Sequence, residues 1–193
     1  MRAAAYRISL DKNIADSFLW VVSFTILMWL GAFLRVRLPF TPVPITMQTF
    51  FMYLAGGLIG TSLAVSSQLG YIALGVLGLP VFTGAGAGLL YLAGPTGGYL
   101  MGFVLGAGII GKILSAVPRR SMPWYLIAFA IGGSVMLFAG ASWLVVVLGF
   151  GIKEAFMLGV VPFVFGEALK IGLAISVCRV FYQRLSINKK EGL

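Results

Sequence analysis

Histidine is absent from this chain of 193 residues, and cysteine occurs once, at Cys178. Without histidine, the usual general base and the commonest metal ligand are both missing. One cysteine permits neither an intrachain disulfide nor a cysteine metal site within the chain. Charge is scarce as well: Lys, Arg, Asp and Glu together make up 10% of the residues, against roughly a quarter in a soluble domain. What takes their place is apolar, since 60% of the chain is hydrophobic. That composition excludes a soluble globular enzyme and a disordered chain, and it describes an all-α integral membrane protein. At about 20 apolar residues per span, the chain has room for roughly five to seven helices in a single membrane domain covering 1–193.

Acidic residues are the scarcer sign, with five Asp and Glu against 14 Lys and Arg, for a formal charge of +9. The basic residues lie between apolar runs and at the ends. That is the pattern of a topology signal, so no nucleic-acid partner is expected. The first apolar run begins near Ser17 and no small-residue cleavage site follows it, so it reads as a retained helix.

The apolar runs predict six spans, at about 17–34, 47–59, 62–78, 97–114, 124–148 and 157–181. Pro39, Pro42 and Pro44 force an extended loop after the first. Met47 to Gly78 is apolar for 32 residues. A single helix of that length would reach about 48 Å, against a hydrocarbon core of about 30 Å. Gly56, Gly57, Gly60, Thr61 and Ser62 lie near its middle and divide it in two. A glycine-rich loop, Thr83-Gly84-Ala-Gly86-Ala-Gly88, leads to Gly94-Pro-Thr-Gly-Gly98. Pro118-Arg119-Arg120 separates the fourth and fifth spans.

With both termini cytoplasmic, ten basic residues fall inside: Arg2, Arg7, Lys12, Lys112, Arg119, Arg120, Arg179, Arg184, Lys189 and Lys190. Three fall outside: Arg35, Arg37 and Lys153. This satisfies the positive-inside rule for a multi-pass protein of the cell membrane. A five-span alternative gives nine against four, so helix length decides between them. The six-span topology gathers the proline-rich loop, the glycine-rich loop and the start of the sixth span on the extracytoplasmic face. Loops there would cap a ligand pocket.

Gly106-Ala-Gly-Ile-Ile-Gly111-Lys112 imitates a phosphate-binding loop, but Ile113 stands where a magnesium-binding hydroxyl is required. The same glycines continue a four-residue ladder from Gly94 through Gly98 and Gly102, which suits close helix packing. Gly94–Gly98 also opens the fourth span. The unpaired N–H groups of a helix start can hold an anion; a plain helix-starting turn is the alternative. Glu167 and Lys170 are the acid and base set within a span. At i and i+3 they share one helix face, and intramembrane charges mark functional sites by default. A carboxylate beside an ammonium suits a ligand that presents N–H and C=O together, such as a cyclic urea or amide. Gln48, Thr49, Gln68, Thr83, Thr96 and Tyr99 are further polar candidates. Phe40, Phe82, Tyr91 and Trp143 are candidate walls or packing residues.

Four segments carry a resemblance: Pro42-Val-Pro-Ile-Thr46-Met-Gln48-Thr49, Ala73-Leu-Gly-Val-Leu-Gly-Leu-Pro80-Val-Phe82, Gly94-Pro-Thr-Gly-Gly-Tyr99 and Pro162-Phe-Val-Phe-Gly-Glu167-Ala-Leu-Lys170. In order, over about residues 17–182, the chain resembles the BioY family. These are the biotin-specific substrate-binding (S) components of energy-coupling factor (ECF) transporters. The resemblance implies a six-helix bundle with an outward-facing biotin pocket. It also implies a transmembrane coupling (T) subunit and cytoplasmic ATPase (A) subunits as partners, with ATP used by those subunits and no cofactor bound here. The implied site comprises Glu167, Lys170, Thr83, Gly94, Thr96, Gly97, Gly98, Tyr99, Gln48 and Phe82. The ureido ring would lie at Glu167 and Lys170, and the carboxylate at the Gly94–Gly98 turn. Two departures stand out. The family's Asp is Glu167 here, and an arginine that some members carry in the third loop has no counterpart between Leu79 and Tyr99. The competing readings are an S component for another vitamin, a small channel or assembly subunit, and a membrane hydrolase.

Overall fold

A computed structural model describes residues 13–118 and 120–191, with side chains described through residue 183. Arg2, Arg7, Lys12 and Arg119 of the charge argument lie outside the described residues, as do the side chains of Arg184, Lys189 and Lys190. Eight helices form the described chain: α1 (Ile14–Phe33), α2 (Gln48–Leu58), α3 (Gly60–Val76), α4 (Leu89–Leu92), α5 (Gly97–Ala116), α6 (Met122–Leu148), α7 (Ile152–Gly159) and α8 (Val161–Glu191). A two-residue ribbon pairs β1 (Arg35–Val36) with β2 (Ile45–Thr46) in antiparallel register.

Four helical stretches are long and apolar enough to cross a bilayer: Ile14–Phe33, Gly97–Ala116, Met122–Leu148 and Ile152–Gln183. α2 and α3 have 11 and 17 residues and are shorter. The protein is therefore an all-α membrane protein with several apolar helices. Large side chains such as Phe18, Leu30, Phe138 and Phe165 are exposed on its outside, where lipid rather than water is their solvent.

Asn13 caps α1, its side-chain oxygen accepting from the Ala15 N–H at 3.2 Å. α2 ends at Leu58 with Ile59 as its C-cap, and α3 begins at Gly60, whose φ of +78° is open to glycine without steric cost. Arg120 closes that end of the molecule. Its guanidinium donates to the carbonyls of Gly57 at 3.0 Å and Leu114 at 3.2 Å, and to the Tyr182 hydroxyl. It thus ties the α2–α3 break, the end of α5 and α8 together. Burial lowers its pKa from the usual arginine value, which is high enough to leave the charge in place at neutral pH.

The glycine ladder of α5 lies against α6. A Cβ on Gly98 would stand 2.1 Å from the Trp143 Cβ, one on Gly102 2.9 Å from the Met136 Cα, and one on Gly106 2.8 Å from the Gly132 carbonyl. The two backbones are in contact, as small-residue ladders permit. Gly106–Lys112 is helical throughout, with none of the loop geometry that cradles phosphate.

The expected sixth helix, 157–181, starts earlier and is broken at Val160, between α7 and α8. Pro162 is the reason: it has no N–H to offer the Leu158 carbonyl four residues back. Thr41 takes that carbonyl instead, donating its hydroxyl at 2.8 Å. The neighbouring Gly159 carbonyl accepts from the Tyr99 hydroxyl at 2.7 Å. A break in one helix thereby pins the proline-rich loop and anchors α5 at the end of the bundle opposite Arg120.

Candidate binding site

That pinned loop lies over the one ion pair among the described residues. Lys170 Nζ is 2.7 Å from Glu167 Oε1, and both side chains are buried. α8 presents the pair on one face, and α2 supplies the rest. Thr49 donates its hydroxyl to Glu167 Oε1 at 2.8 Å and accepts from Lys170 Nζ at 2.8 Å. Tyr53 donates its hydroxyl to Glu167 Oε2 at 2.8 Å. Thr49 and Tyr53 stand at i and i+4, one above the other on α2. Buried charges need this degree of pairing.

The inventory of this cluster leaves a specific remainder. An ionised carboxylate has about four lone-pair sites, and three are occupied, which leaves one at Oε2. An ammonium has three N–H donors, and two are used. The cluster therefore offers one free acceptor beside one free donor. That matches an N–H and a C=O presented together.

Glu167 and Lys170 form the floor of an inner chamber of about 40 Å³. Gln48, Thr83, Thr96 and Tyr99 also line it, as do Tyr91 and the apolar Phe103, Met136 and Phe163. Gln48 donates its amide N–H to the Tyr71 hydroxyl at 2.8 Å, and Tyr71 donates to the Val81 carbonyl at 3.1 Å. Thr83 in turn donates to Gln48 Oε1 at 3.4 Å. This chain of bonds fixes the glycine-rich loop to the start of α2. An outer vestibule of about 430 Å³ adjoins the chamber, and Pro44, Thr83, Tyr91 and Thr96 line both. Gly94 lines the vestibule.

Three of the expected site residues lie elsewhere. Gly97 and Gly98 line neither chamber. A Cβ on Gly97 would stand 1.8 Å from the Leu92 carbonyl oxygen, and the Gly97 N–H is spent on the Gly94 carbonyl at 3.1 Å. Their smallness serves packing against α4 and α6. Phe82 is also outside both chambers, buried between Tyr71 and Tyr91, with ring centroids 5.6 and 4.6 Å away. It supports the wall from behind. Sequence reasoning passed over Tyr53 altogether, although its i+4 spacing from Thr49 was the available signal. It also assigned Arg35 and Arg37 only to topology, and both line the vestibule.

The profile of the BioY family matches residues 4–187. The chain belongs to the BioY family. The biotin transporter BioY of Thermotoga maritima is 39% identical over 154 residues, covering 78% of this chain and 86% of the relative. The probable biotin transporter BioY of Pyrococcus horikoshii is 37% identical over 157 residues, covering 81% and 90%. A crystal structure of the S-component for biotin from an ECF-type ABC transporter superposes with a TM-score of 0.81 at 26% identity. That superposition covers 90% of this chain and 94% of the other. As a BioY protein, the chain is a transport component and not an enzyme.

Proposed function

We propose that the protein captures biotin with high affinity on the extracytoplasmic side, as the substrate-binding component of an ECF transporter. The observation that carries this reading is the Glu167–Lys170 cluster. Its one free acceptor and one free donor match a ureido N–H and carbonyl. Phe103, Met136 and Phe163 suit the sulfur-bearing ring, as apolar walls with few polar groups usually suit a ligand. The inner chamber alone, at about 40 Å³, is smaller than the roughly 300 Å³ or more that small-molecule sites enclose. The ligand therefore occupies the chamber and reaches into the vestibule.

The membrane arrangement belongs to the same reading. The chain crosses six times, with both termini cytoplasmic, in the cell membrane. In support, the connections alternate between two ends. Gly57, Arg120 and Tyr182 meet at one, while Thr41 and Leu158, and Gln48 and Thr83, meet at the other. The T subunit and the A subunits, which hydrolyse ATP, complete the transporter.

Calorimetric titration of the purified protein in detergent, with biotin, thiamine and riboflavin in turn, tests the proposal. Saturable binding of biotin alone is expected. Equal binding of another vitamin, or no binding of biotin, would refute it.

A further inference from the structure

The vestibule carries fixed positive charge that the polar floor of the site does not use. Arg35 and Arg37 both line it. They stand at i and i+2 where β1 leaves the ribbon, so their side chains share one face of extended backbone. Antiparallel pairing sets Arg35 opposite Thr46, and Thr46 lines the inner chamber. Across the vestibule, the Arg35 guanidinium lies on the glycine-rich loop. A Cβ on Gly84 would stand 2.5 Å from Arg35 Nη1. Thr83, next in the chain, lines both chambers. The cation therefore sits where the two chambers meet.

Among the described residues neither arginine has an acidic partner, because the one ion pair there is Lys170 with Glu167. Arg35 is half-buried and Arg37 is exposed. A guanidinium stays charged at any physiological pH and grips a carboxylate bidentately. Half-buried, and without an ion-pair partner among the described residues, Arg35 is poised for an anion from outside. The alternative carboxylate holder, the Gly94–Gly98 turn, is weakened by its own bonding, because Gly97 and Gly98 lie outside both chambers and are packed away.

We propose that Arg35, with Arg37 as a weaker outer partner, is the subsite for the carboxylate of the ligand. Its polar ring then rests on Glu167 and Lys170. This rests on the biotin reading and adds to it a selection for acids over neutral tails. A ring bound at the floor points its chain through the wall shared by Pro44, Thr83, Tyr91 and Thr96, and the chain ends at the guanidinium.

The test compares biotin with its neutral carboxamide on the purified full-length protein, on Arg35→Gln, Arg35→Lys and Arg37→Gln, with melting temperature recorded for each. The native protein is expected to prefer the acid by about 10- to 100-fold, the range for a charge-assisted hydrogen bond. Arg35→Gln is expected to bring the acid-to-amide ratio close to one. Arg35→Lys retains part of the preference. Arg37→Gln reduces it by less than about fivefold, because its charge is solvent-screened. A preference that survives Arg35→Gln in folded protein overturns the subsite, as does an equal loss for acid and amide. If the native protein binds acid and amide equally, the ring site stands and the carboxylate subsite falls. If it binds neither, the biotin reading itself has failed.

Discussion

Removing either charge from the Glu167–Lys170 pair gives the sharpest test of the binding geometry. Lys170→Met keeps the length of the stem but deletes the ammonium. Glu167 then loses its 2.7 Å partner, Thr49 loses the donor at 2.8 Å, and the ligand carbonyl loses its N–H. Glu167→Gln is nearly isosteric. The Thr49 bond to Oε1 can persist, but an amide NH₂ replaces the acceptor at Oε2. That group faces both the Tyr53 hydroxyl and the ligand N–H, donor against donor. Truncating one partner of a buried, hydrogen-bonded charge pair costs about 2–5 kcal/mol of binding. At 1.4 kcal/mol per tenfold, the dissociation constant for biotin should rise by roughly 30- to several-thousand-fold. Glu167→Asp keeps the carboxylate but draws it back by one methylene, lengthening the bonds from Thr49 and Tyr53, and should cost less than either. Calorimetry and thermal unfolding on the same three variants decide the matter. A pair that only holds α2 to α8 would lower the melting temperature and leave the folded fraction binding biotin normally. That outcome would refute the assignment.

The remaining expectations test packing and topology. Gly98→Ala drives a methyl to 2.1 Å from the Trp143 Cβ and should destabilise by about 1–3 kcal/mol through overpacking. Gly166→Ala meets nothing within 4 Å and should be neutral or stabilising by up to about 1 kcal/mol; equal melting temperatures for the two would discount close α5–α6 packing. Arg120→Gln removes the guanidinium bonds to the Gly57 carbonyl and the Tyr182 hydroxyl, leaving only the long direct Tyr182–Gly57 bond at 3.4 Å. It should lower the melting temperature without changing biotin affinity, since it lies at the far end from the chamber. In a Cys178→Ser background, single cysteines at Thr83 and Lys153 should react with an impermeant maleimide on intact cells. A cysteine in a C-terminal tag should react only after permeabilisation, and outside labelling of that tag would overturn the six-span topology.

Composition alone placed this protein in lipid, because no soluble core can absorb a chain that is 60% hydrophobic. The sequence also determined that Glu167 and Lys170 act together. Their i, i+3 spacing puts them on one face of any helix, and the membrane makes isolated charges too costly to be incidental. The four motifs carried the family in the same way, since each is local along the chain. The partners of the pair were another matter. Thr49 and Tyr53 reach Glu167 across 118 and 114 residues of sequence, and only the packing of α2 against α8 brings them there. Helical periodicity does not say which face of one helix meets which face of another. Tertiary structure likewise took Gly97 and Gly98 out of the chamber wall, because close approach of α4, α5 and α6 leaves no room for anything larger, and set Phe82 behind it, between Tyr71 and Tyr91. It also turned two arginines from topology markers into lining residues. The ribbon pairing of Arg35 with Thr46 is a contact between loop segments, and no local pattern in the sequence encodes where a loop folds back.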